Sequence, residues 1–80
     1  MRVIRVACLY RHYKGDVYRV INFSRHTETS EVLVNYHKVK NPVQIWSRPL
    51  AMFSDKVQVA GHERERFQMI KEDNDMFEEH

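Results

Sequence analysis

The stretch VYRVINFSR, Val17 to Arg25, decides the fold class. Tyr18 and Val20 share one parity of an extended chain, whereas Ile21 and Phe23 take the other. Side chains alternate between the two faces of a strand, so a parity switch inside one apolar segment predicts an extra residue near Val20–Ile21, a β-bulge or sharp bend. A bulge bends its strand and deepens the twist, which suits a small barrel. Outward from this segment, Val32, Val34 and Tyr36 share a face on one side, and Ile4, Val6, Cys8 and Tyr10 share a face on the other. Ten valines and four isoleucines against three leucines favour pleated strands, because branching at Cβ restricts χ1 in helices.

Breaks fall where hairpins need them: Lys14-Gly15-Asp16, Thr27 to Ser30, Lys40-Asn41-Pro42 and Ala60-Gly61-His62. Gln44 to Arg48 reads as a further strand, and Pro49 to Phe53 has the length of one 3₁₀ turn, its Leu50, Met52 and Phe53 forming an apolar plug. A strand over Lys56 to Val59 follows, then a last strand or short helix over Glu65 to Ile70. The expected fold is all-β: a small, SH3-like, partly open barrel over residues 1–70, with one 3₁₀ turn before the last barrel strand and a disordered acidic tail over 71–80.

Eighty residues leave no room for a separate catalytic lobe. One cysteine makes no internal disulfide, which points to a reducing, cytoplasmic setting, and no apolar run reaches bilayer length. No cofactor motif is present: Gly15 and Gly61 are too far apart for a phosphate loop, and the histidines lack metal-ligand spacing. Residues 1–70 carry twelve Lys and Arg against six Asp and Glu, and residues 71–80 carry one Lys against five acids, a body at +6 and a tail at −4. The tail either solubilises the domain or lies across its basic surface.

Several clusters admit a binding role beside a structural one. Tyr10, His12 and Lys14 share a parity opposite Arg11 and Tyr13, so each face mixes aromatic and cationic groups, as a groove for an anionic partner does; the alternative packs one tyrosine in the core and solvates the cations. Trp46 and Arg48 lie two residues apart on one face, either as a recognition pair or as core tryptophan with Arg48 paired to Glu28 or Glu31; the core reading has the advantage in so small a domain. Arg25, His26, Glu28 and Glu31 surround the Thr27 to Ser30 turn, where a polar hairpin is the simpler reading than acid–base chemistry. Cys8 shares the parity of Ile4 and Val6 and reads as a small buried hydrophobe.

YRHYKG at Tyr10 to Gly15, RHTETSE at Arg25 to Glu31, LVNY at Leu33 to Tyr36 and WSRPLAMF at Trp46 to Phe53 follow one another as in a known pattern. Over residues 10–70 the chain resembles the bacterial and phage family called domain of unknown function 1653 (DUF1653). The resemblance implies a small stand-alone or appended β domain and assigns no activity. Two departures stand out. Lys40-Asn41-Pro42-Val43 replaces the glycine-containing loop usual before the tryptophan, and the stretch Met1 to Leu9 is longer than usual. That stretch is expected to supply an extra strand for pairing with the barrel edge or with a second copy in a homodimer.

The leading expectation is a non-enzymatic module that holds a protein or peptide through Tyr10, Arg11, His12, Tyr13, Lys14, Arg25, His26, Trp46 and Arg48, without a membrane role. A second expectation is RNA or single-stranded DNA on the basic face, bound in a salt-sensitive way. A third is a small-ligand or enzymatic site around His12, His26 and Glu28.

Overall fold

The computed structural model describes residues 3–72, with side chains described through Ile70. Strands β1 (Cys8–His12), β2 (Val17–Arg25), β3 (Val32–Lys38) and β4 (Asn41–Pro49) follow as a meander. A single helical turn α1 (Leu50–Phe53) leads to the hairpin β5 (Lys56–Val59) and β6 (His62–Glu65), and the chain returns as β7 (Phe67–Glu72). Five strands form one antiparallel sheet in the order β4-β3-β2-β1-β7; β5 and β6 form a separate two-stranded sheet. The fold is mostly β, and the larger sheet is open: β4 and β7 are its edges, without a β4–β7 ladder between them.

Parity makes the core. Tyr10, Val20, Val34, Phe53 and Phe67 are fully buried, with Ile4, Cys8 and Tyr36 nearly so. The bulge falls where the sequence places it: Val20 opposes Tyr36 and Asn22 opposes Asn35, so Ile21 is the extra residue. Past it Phe23 opposes Val34, on the same face as Val20, although Phe23 at the sheet's end is partly exposed. Phe53 stacks on Phe67 with ring centroids 4.0 Å apart, and Tyr10 meets Phe53 edge-on at 5.4 Å.

The N-terminal segment departs from expectation. Ala7 takes φ 64°, which ends any strand before Cys8, and leaves Val6 exposed while Ile4 stays buried. The Arg5 amide donates to the Tyr10 hydroxyl at 2.9 Å and the Ala7 amide to the Val20 carbonyl, so residues 3–7 form a strap instead of an extra strand. β1 itself lies between β2 and β7, so both of its sides are paired within the chain.

The turn after Pro49 is α-helical, not 3₁₀, since the Ser54 amide donates to the Leu50 carbonyl four residues back. One turn points Leu50 and Phe53 inward and leaves Met52 exposed, so Met52 is no part of the plug. The strand that completes the large sheet is β7, beyond the hairpin. The β5–β6 link Ala60-Gly61 has φ of 53° and 80° between partners Val59 and His62, the two-residue turn in which both central residues take positive φ. The link before β4 is Val39-Lys40, and between Lys38↔Asn41 and His37↔Ile45 the residues Pro42, Val43 and Gln44 bulge out, as a proline without an amide proton requires. The tail over residues 73–80 lies outside the described residues, while Lys71 and Glu72 belong to β7.

Candidate binding face

Cross-strand partners share a face, so Tyr36↔Trp46 and Val34↔Arg48 put both β4 side chains on the core side of the sheet. Trp46 is nonetheless 45% exposed, because it rides on an edge strand with no neighbour beyond it. The core reading of Trp46 is thus overturned. Arg48 pairs with neither Glu28 nor Glu31: its Nε donates to the Tyr36 hydroxyl at 3.2 Å and its guanidinium carbon sits 5.6 Å from the Phe67 ring centroid.

From the other side β1 and its turn reach the same rings. His12 opposes Phe67 across the β1–β7 ladder, with centroids 4.8 Å apart, and lies 4.6 Å from the Tyr13 ring. Lys14 Nζ stands 5.8 Å from the Tyr13 centroid. Tyr18 closes the group, edge-on to Tyr36 at 5.3 Å and to Phe67 at 5.7 Å. Among these rings Phe67 and Tyr36 are sealed, whereas His12, Tyr13 and Tyr18 are half-buried and form the rim.

Burial lowers the His12 pKa below 6.5, helped by the positive charges of Arg48, Arg66 and Lys14 against the opposing pull of Asp16. Its Nδ1 accepts the Lys14 amide at 3.2 Å, a role open only to the unprotonated nitrogen. Burial likewise pushes the Tyr18 phenol up, so it stays a hydrogen-bond donor. Arg66 is fixed by Asp55, whose carboxylate accepts from its Nε at 2.7 Å, and this hydrogen bond raises its pKa.

The nine candidate residues separate into four places. His12, Tyr13, Lys14, Trp46 and Arg48 gather around Tyr36 and Phe67. Tyr10 is fully buried and has no surface to offer. Arg11 points to the opposite face and donates to the Gly15 carbonyl at 3.2 Å. Arg25 and His26 sit at the far end of the nine-residue β2, about 26 Å along the strand from the Lys14 turn. There Arg25 donates to the Ser30 carbonyl, not to Glu28, and His26 Nδ1 accepts the Glu28 and Thr29 amides. The polar-hairpin reading therefore holds for the turn, and His12 does not meet His26 or Glu28. Sequence reading missed Tyr18 and Tyr36 as members of the face; the alternation that marks them as apolar-side residues gives no sign that Tyr18 ends at a rim.

Among the described residues no three His, Cys, Asp or Glu side chains gather to hold a metal, and no helix is long and apolar enough to cross a membrane. The geometry defines a small β domain with an aromatic and cationic face along the gap between its two edge strands. The model of a protein family described as "Protein of unknown function (DUF1653)" matches residues 8–69, and the chain belongs to that family. A crystal structure of a DUF1653 protein from Bordetella bronchiseptica is similar, with 30% sequence identity, a TM-score of 0.74, and coverage of 86% of this chain and 90% of that one. No curated protein matches the chain.

Proposed function

We infer that this domain is a binding module, an unclosed relative of the SH3-like barrel in a reducing, cytoplasmic setting, whose partner is a protein or peptide. The observation that carries this reading is the convergence of Arg48 from β4 and His12 from β1 on the ring of Phe67, with Tyr13 and Lys14 beside His12 and Trp46 across from Tyr36. Exposed tryptophan and a pre-positioned arginine are the side chains that dominate protein interfaces. The free side of β4 adds a row of backbone donors and acceptors beside them, a template for an extended peptide. A nucleic-acid reading draws on Lys14, Arg11, Arg25 and Arg48 acting together, and their separation onto two faces and two ends favours the peptide.

The test is selection from a displayed random-peptide library on the folded domain, followed by titration of a dye-labelled selected peptide with each variant, read by fluorescence anisotropy. Binding is expected to fall at least tenfold in Trp46→Ala and in Arg48→Ala, to stay unchanged in Arg25→Ala, and to vary only a few-fold between 50 and 300 mM salt as a mainly apolar contact does. The reading is overturned if peptides bind indifferently to both changes, or if polyuridylate alone quenches Trp46 with a steep salt dependence.

A further inference from the structure

Where the β1–β2 turn meets the end of β3 lies a groove of about 380 Å³, with Leu9, Arg11 and Val17 on the face turned away from the rings and Lys38, opposite Tyr18, at its border. Leu9, Val17 and Val39 line it with apolar surface, and Arg11, Lys38 and Lys40 with positive charge. One acid, Asp16, is present, 3.3 Å from Lys38 Nζ, so the groove keeps a surplus of two positive charges. Nothing in the aromatic face requires this cluster: Leu9 and Arg11 take the opposite parity from Tyr10.

The chain contains a segment of matching chemistry. Residues 73–80 read Asp-Asn-Asp-Met-Phe-Glu-Glu-His: two apolar side chains between two pairs of acids. β7 delivers the chain at Glu72, opposite Cys8, one residue from the groove-lining Leu9. Asp73-Asn74-Asp75 is turn-forming sequence, needed because β7 leaves at the end of β1 away from Arg11. The four residues after such a turn span about 13 Å when extended, enough to run back beside β1 to the level of Arg11 and Val17.

We propose that this groove receives residues 73–80 of the same chain, with Met76 and Phe77 against Leu9, Val17 and Val39, and Glu78 and Glu79 facing Arg11, Lys38 and Lys40. A tether this short holds the segment at an effective concentration in the millimolar range, so a contact too weak to form between separate molecules is populated within one. The bound segment neutralises the basic face and leaves the Trp46 side open.

The experiment places a nitroxide on the full chain at His80→Cys, with Cys8 buried and out of reach of the label. Amide signals of Val17, Val39 and Lys40 are expected to broaden more than those of Trp46 and Arg48, and the effect is expected to disappear in Glu78→Gln/Glu79→Gln and above about 0.5 M salt. Reversing the pair, Lys40→Glu abolishes the broadening and Lys40→Glu with Glu78→Lys restores it; Lys40 is an exposed turn residue, so folding is not at issue. Uniform broadening, broadening centred on Trp46, or broadening that appears only between labelled and unlabelled copies overturns the proposal.

Discussion

Arg48 and Phe67 belong to the two opposite edges of a five-stranded sheet, yet the guanidinium carbon lies 5.6 Å from the ring centroid. Four strand spacings in a flat sheet would separate those edges by about 19 Å. The sheet is therefore curled until its edges face each other, and Arg48 crosses the remaining gap with its side chain where no backbone ladder does. Three features produce the curl: the Ile21 bulge, the irregularity between Leu9 and Tyr10 against β7, and the ring cluster on the inner face.

Arg48 is held by the Tyr36 hydroxyl, and removing that acceptor separates anchoring from packing. Tyr36→Phe is expected to lower stability by about 1 kcal/mol, the usual net value of one hydrogen bond, while Arg48→Ala costs about as much again through lost contact with Phe67. Urea denaturation reads both, and an Arg48→Ala variant as stable as the wild type would remove the guanidinium from the account of edge closure.

Phe67 and Trp46 differ sharply in burial, at 1% and 45% exposed. Phe67→Ala is expected to cost about 3–5 kcal/mol because it leaves a cavity under Phe53, and it should unfold so small a domain at moderate denaturant. Trp46→Ala is expected to cost less than about 1 kcal/mol. Equal losses would place the indole in the core after all.

His12 links stability to pH. Its pKa is lowered in the fold, so the unfolded chain takes up the proton more readily, and stability rises with pH across that interval. The His12 contribution is complete above the ordinary value of 6.5 and is lost as pH falls through the folded value. Urea midpoints measured from pH 7.5 down to 5 are expected to fall more steeply in the wild type than in His12→Gln; parallel curves would assign the dependence elsewhere.

Ala60 occupies a left-handed position, φ 53°, at the first place of its turn. Asparagine adopts that conformation at lower cost, so Ala60→Asn is expected to stabilise the domain by about 0.5–1 kcal/mol without touching either face. A melting temperature unchanged or lowered in Ala60→Asn would contradict the turn geometry.

The sequence by itself determined the strand content, the Ile21 bulge and the inward parity of Val34, Tyr36, Cys8 and Tyr10, because alternation is a local property of an extended backbone. It carried the family as well, through motifs whose order survives without coordinates. Only the tertiary structure decided that Trp46 is exposed, that Arg48 meets Phe67 and that Tyr10 has no surface, since these depend on which strands are edges. Edge status follows from β7 returning to pair with β1 across more than fifty residues of chain, and no local pattern encodes a pairing at that separation.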